Sequence, residues 1–147
     1  MNKIIITGED LTIKKVVEFS KKFYEVSITD KVIEKISNAR TFLEEEIKKG
    51  RKVYGVNTGL GALLKEERGL SENIEEKIIK EHALSTGDYV EKEIARATLL
   101  ILLNQLATGR STISLDTFNY LLKISNLKFY PLFKVDGSLG ASGDLLK

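Results

Sequence analysis

The chain has 147 residues, 42% hydrophobic and 30% charged, with 23 Lys and Arg against 21 Asp and Glu and a formal net charge of +2. That is one domain's worth of ordinary globular chain, and charges of both signs mixed along it argue against an electrostatic nucleic-acid or membrane-surface binder. With no cysteine there is no disulfide framework, thiolate nucleophile or cysteine metal site, and a single histidine, His82, excludes a multi-histidine metal centre within one chain.

Three consecutive isoleucines near the start, Ile4 to Ile6, are too few for the apolar core of a secretory signal. Lys3 to Thr7 reads as a short strand ended by Gly8. From Thr29 the apolar residues Val32, Ile36, Ala39, Leu43 and Ile47 recur at helical spacing, and Gly50 lies where a C-cap is expected. Lys52 to Val56, "KVYGV", is a short β-prone run leading into the loop-like "NTGLGALL". A second helix opens at Ser71, with Glu75 and Glu76 near its positive end, and carries Ile74, Ile78 and Ile79 toward His82. A third runs from Glu91 to Ala107, is apolar on most faces beyond Ile94, and is expected to be central and buried. Its run Ala97 to Leu103 falls short of the ~20 residues that span a bilayer. Gly109 breaks it, and a fourth helix begins near Asp116 with Phe118, Leu121, Leu122 and Ile124. The pattern then dissolves through Pro131 into a glycine-rich turn.

These elements predict a single domain over residues 1–147, mainly α with a small N-terminal β element, without repeats or linkers. The default location is cytoplasmic. A helix apolar on nearly every side implies neighbours that four modest helices can hardly supply, so other subunits or further chain are expected.

Two glycine-rich stretches bear on chemistry. "YGVNTGLG", Tyr54 to Gly61, fails as a nucleotide loop: Leu64 stands where a dinucleotide fingerprint needs its third glycine, and Ala62-Leu63 replaces the Lys-Ser or Lys-Thr of a P-loop. By itself it is a glycine-rich connection. "GASG", Gly140 to Gly143, has two readings. It is a turn, or it is a segment small enough for a backbone amide to attack the carbonyl two residues earlier. Loss of water from the ring and from the serine then leaves a methylidene, an electrophile made from the chain itself.

"YGVNTGLG", "EHALSTG", "LNQLATGRSTI" and "GSLGASGDL" occur here in the order and spacing of the aromatic amino acid ammonia-lyases, and the sequence resembles the N-terminal part of the histidine ammonia-lyase branch from about Ile4 onward. The resemblance implies the helical ammonia-lyase (aspartase/fumarase-like) fold without most of its long bundle. It also implies non-oxidative elimination of ammonia from L-histidine to urocanate, a step of histidine catabolism. Ala141, Ser142 and Gly143 match the triad that cyclises to 4-methylidene-imidazol-5-one: the Gly143 nitrogen attacks the Ala141 carbonyl and Ser142 dehydrates. Asp144 matches the residue that assists ring formation. Tyr54 matches the tyrosine that removes the substrate β-proton. A free phenol has a pKa of about 10, so that role needs donors or helix N-termini to stabilise the phenolate. Gly61 matches a pocket-lining position.

Glu81-His82 falls on the pair that tunes the substrate ring. The family has Ser-His for histidine, His-Leu for tyrosine and Phe-Leu for phenylalanine, so His82 sides with histidine while Glu81 departs from all three. Taken by itself, a lone histidine is more often a satisfied structural residue. Lys134 stands where the family usually has a proline. The family's carboxylate-binding arginine, second tyrosine and electrophile-side asparagine fall after "ASGDL", beyond this sequence. The expected partners are therefore a homo-oligomer, tetrameric in the family, or a separate C-terminal lyase chain, together with an amino acid substrate. Neither nucleic acid nor membrane, and neither metal nor nucleotide, is expected. The 147-residue polypeptide is expected to be inactive by itself. The alternative is a non-catalytic remnant or interaction subunit of a split lyase, and the motifs do not separate a lyase from an aminomutase.

Overall fold

The computed structural model describes residues 2–58, 85–127 and 129–137. Its elements in chain order are β1 (Lys3–Ile6), α1 (Ile13–Lys21), β2 (Glu25–Ile28), α2 (Asp30–Lys48), β3 (Thr86–Tyr89), α3 (Lys92–Leu106), α4 (Leu115–Asn126) and β4 (Lys134–Asp136). They fall into two compact units, one of residues 1–43 and 89–133, the other of residues 44–88 and 134–147.

The first unit is built on a β–α–β start. β1 and β2 pair in parallel, Lys3 opposite Glu25 through Ile6 opposite Ile28. Parallel neighbours need a crossover, and α1 supplies it. Thr12 caps α1 by accepting from the Lys15 N–H, and Phe19 is the residue this helix buries. The far end of α1 is held from outside. The guanidinium of Arg96 on α3 donates to the carbonyls of Phe19 and Lys22, both at 2.7 Å, and lies 5.0 Å from the centre of the Phe19 ring. These are α1's orphan C-terminal acceptors, and a cation there also suits the negative end of the helix dipole.

The core joins Ile4 and Ile6 of β1, Phe19 of α1, Val26 of β2, Val32 and Ile36 of α2, Leu99, Leu100 and Leu103 of α3, Ala107, and Phe118 of α4. Alternation along β1 and the Val32–Ile36 spacing put these residues on one face of each element, as their periods require. β2 is closed on its other edge by a side chain: Asn126 Oδ1 accepts from the Val26 N–H at 2.8 Å, and its Nδ2 donates to the Val26 carbonyl at 2.9 Å. α4 starts on Ser114, whose hydroxyl accepts from the Thr117 N–H.

Most sequence expectations for this unit hold. The Lys3–Thr7 strand, the helix from Thr29, the Glu91–Ala107 helix and the helix near Asp116 correspond to β1, α2, α3 and α4. The fold is mainly helical with an N-terminal β element, as expected. α1 and β2 have no counterpart in the sequence reading, and β3 and β4 add a second two-stranded pair far from the N-terminus. The burial expected around α3 needs correction. Ala95, Leu99, Leu100 and Leu103 are buried, but Ile94, Ile101 and Leu102 stand exposed on its other side. The helix expected to open at Ser71 lies outside the described residues.

Among the described residues no helix is long and apolar enough to cross a membrane, and no group of three or more His, Cys, Asp or Glu could hold a metal ion.

Candidate active site

The second unit contains the one candidate catalytic side chain that falls among the described residues, Tyr54. Its setting begins at the end of α2. Gly50, at φ +80°, takes the left-handed position just past the helix. The Gly50 N–H reaches the Ile47 carbonyl at 2.9 Å, and the Arg51 N–H reaches that of Glu46 at 3.0 Å. These are the two bonds of a Schellman cap. Side chains repeat the fastening: Arg51 and Lys49 donate to the two carboxylate oxygens of Glu46 at 2.7 and 2.9 Å. The Arg51 bond, and then that of Lys49, hold the Glu46 carboxyl below its ordinary value, and Glu46 in turn raises Lys49.

The β-prone run Lys52 to Val56 is not a strand. It enters a turn in which both the Val56 and Asn57 N–H groups return to the Val53 carbonyl. Gly55, at φ +73°, takes a conformation that β-branched and aromatic residues avoid. Asn57 competes for the backbone, its Oδ1 accepting from the Val53 N–H at 2.7 Å and its Nδ2 donating to the Arg51 carbonyl at 2.9 Å. Thr58 is buried, and its hydroxyl accepts from the Gly55 N–H at 3.2 Å. Local side-chain bonds of this kind outweigh strand propensity, which is weak without a neighbouring strand to pair with. On this base Tyr54 is 62% exposed.

β3 and β4 pair in the same unit and lead the chain to Gly137. Gly87, from the "EHALSTG" stretch, has φ +80°, and a Cβ there would lie 2.6 Å from the Asp136 carboxylate. The carboxylate can swing aside, so it is the left-handed φ that favours glycine there. Gly61, His82, Ala141, Ser142, Gly143 and Asp144 lie outside the described residues, so Tyr54 alone of the predicted site is placed. Asn57 and Thr58 were quoted in the motif without a role. Their signal was present, since Asn and Thr next to glycines are turn-makers that bond their own backbone.

The described residues thus form a mainly helical fold opened by a small parallel β–α–β unit, with Tyr54 on a turn braced by Asn57. Residues 11–147 match the family model of the aromatic amino acid lyases, and the chain belongs to that family. It is 35% identical over 150 residues to the histidine ammonia-lyase of Caldanaerobacter subterraneus subsp. tengcongensis, covering 99% of this chain and 29% of that protein. Among solved structures it resembles the phenylalanine aminomutase of Pantoea agglomerans, with a TM-score of 0.87 and 27% identity over 99% of this chain and 28% of that one. It also resembles the histidine ammonia-lyase of Trypanosoma cruzi, with a TM-score of 0.81 and 26% identity over 92% of this chain and 27% of that one. The chain thus spans less than a third of the length of these relatives, and corresponds to their N-terminal portion.

Proposed function

We propose that this chain is the N-terminal part of a histidine ammonia-lyase and works with the polypeptide that carries the rest of the fold, within one chain or across two. The observation that carries the proposal is the likeness to histidine ammonia-lyase along 99% of the chain. His82, on the pair that tunes the substrate ring, supports histidine over phenylalanine or tyrosine.

In this reading Ala141, Ser142 and Gly143, small enough for the closure, form the 4-methylidene-imidazol-5-one with help from Asp144. That group supplies the electrophile that activates the amino acid for loss of ammonia. Tyr54 takes the β-proton, and the product is urocanate. Gly61 and His82 line the substrate pocket. The substrate carboxylate also needs a cation. Arg51 is engaged with Glu46, and Arg96 is spent on the end of α1, which supports a clamp arriving from elsewhere in the lyase. The exposed Ile94, Ile101 and Leu102 of α3 support a further neighbour, either the remainder of the lyase or another subunit of a tetramer.

Without the clamp, binding weakens by about 2–5 kcal/mol, and loss of the preorganised groups around the reacting centre costs a further factor of roughly 10²–10³ in rate. The 147-residue polypeptide therefore forms no measurable urocanate from L-histidine. Adding a polypeptide with the C-terminal lyase residues restores the ultraviolet signal of urocanate, and Tyr54→Phe abolishes it. Turnover by the 147-residue polypeptide, indifferent to Tyr54→Phe, would overturn the reading.

A further inference from the structure

We infer that Asn57 is a positioning residue for Tyr54, fixing the phenol through the backbone on which it stands. The inference rests on the reading of Tyr54 as the base. Both main-chain groups of Val53, the residue before the tyrosine, reach Asn57, the carbonyl being shared with the Val56 N–H at 3.1 Å. The Val53 N–H donates to the Asn57 side chain at 2.7 Å, and the Val53 carbonyl accepts from the Asn57 main-chain N–H at 3.2 Å. The residue after the tyrosine is held as well, since the Gly55 N–H donates to the buried Thr58 hydroxyl.

The remaining arm of Asn57 reaches back along the chain. Its Nδ2 donates to the Arg51 carbonyl, and the Arg51 N–H and guanidinium are both bonded to Glu46 in the last turn of α2. One side chain therefore ties the turn carrying Tyr54 to the last turn of α2. Tyr54 is 62% exposed, and its ring is carried on this backbone. A tilt at Val53 or Gly55 is amplified at the end of the ring. A misplacement of about 1 Å costs on the order of 10²-fold in rate, so holding this backbone has direct consequences for the proton transfer.

The test has two arms. In the 147-residue polypeptide, NMR follows the Val53 amide and the Tyr54 ring, the latter assigned through Tyr54→Phe. Asn57→Ala exposes the Val53 amide to exchange and moves the Tyr54 ring signals, while the core methyl signals of Ile6, Val26 and Leu103 stay in place. Asn57→Asp keeps an acceptor for the Val53 N–H, loses the donor to Arg51, and lies between Asn57→Ala and the parent.

In the lyase assembled with its C-terminal part, Asn57→Ala lowers kcat by roughly 10- to 100-fold and leaves KM within about threefold, the split expected when geometry in the transition state, rather than uniform binding, is lost. Asn57→Asp recovers part of the kcat. An unmoved Val53 amide and Tyr54 ring in Asn57→Ala, or a raised KM with unchanged kcat, overturns the role of Asn57. Turnover that survives Tyr54→Phe overturns the base assignment instead, so the two failures are distinguishable.

Discussion

Asn126 does for β2 what a third strand would do. β2 has β1 on one edge, where the Glu25 N–H donates to the Asn2 carbonyl, and the Val26 N–H and carbonyl point the other way, into the Asn126 amide. Val26 is only 2% exposed, so its backbone is poorly placed to find water if the amide is removed. Asn126→Ala deletes two hydrogen bonds and leaves a donor and an acceptor unpaired, at about 1–3 kcal/mol each. Asn126 is itself half-buried, so some water reaches the site and the lower end of that range applies. The expected loss is about 2–4 kcal/mol, or roughly 6–16 °C in Tm for a domain of this size. Urea unfolding followed by far-ultraviolet circular dichroism reads it as a lower midpoint at unchanged slope. Amide exchange should show Val26 among the residues that lose most protection. A midpoint shift worth less than about 0.5 kcal/mol, with the Val26 amide still protected, would mean that α4 and β1 hold β2 without the amide.

Two further outcomes can be checked on the same polypeptide. The Glu46 carboxyl is held below 4.5 by Arg51 first and Lys49 second, so its contribution to the end of α2 is fully present above about pH 4.5 and is lost as pH falls through the depressed value; a carbon-detected titration of Glu46 should show this, and Arg51→Gln should move the midpoint up, an unmoved midpoint removing Arg51 as the main cause. The intact mass of the 147-residue polypeptide should equal that of the unmodified chain, because a strained ring closure at Ala141-Ser142-Gly143 needs a surrounding shell to enforce it; a mass short by two waters, about 36 Da, refutes this.

The long helices were legible because their information is local. α2, α3 and α4 carry apolar residues at helical spacing, and two of them have a readable end signal, Gly50 after α2 and Gly109 after α3. α1 and β2 were not legible because what fixes them is distant in sequence. The carbonyls at the end of α1 are satisfied by Arg96, and the free edge of β2 by Asn126, a hundred residues further along. No window of neighbouring residues contains either partner. The opposite error occurred at Lys52 to Val56, where β-prone side chains suggested a strand and the bonds of Asn57 and Thr58 made a turn. At the site, Tyr54 was identified through the family motif, and nothing in composition or periodicity distinguished it from the other tyrosines. Its exposure and its braced backbone were visible only in the fold.

The quoted motifs turn out to carry different kinds of information. "LNQLATGRSTI" is a packing device of the first unit. Asn104 Oδ1 accepts from the Gly8 N–H at 3.2 Å, and a Cβ on Gly8 would come within 2.9 Å of the Thr108 nitrogen. Ala107 is fully buried, and Gly109, at φ +73°, lies so close to Lys35 that a Cβ would sit 2.9 Å from its carbonyl oxygen. Small residues are needed there because β1, α2 and the end of α3 approach backbone to backbone, and a larger side chain would force them apart whatever reaction the protein catalyses. "YGVNT" has the reverse character. Asn57 bonds Val53 and Arg51 and Thr58 bonds Gly55, so what these side chains fix is the backbone on either side of an exposed tyrosine. Substitutions in the first motif should therefore register as lost stability, and those at Asn57 as a displaced Tyr54 in a molecule that otherwise remains folded.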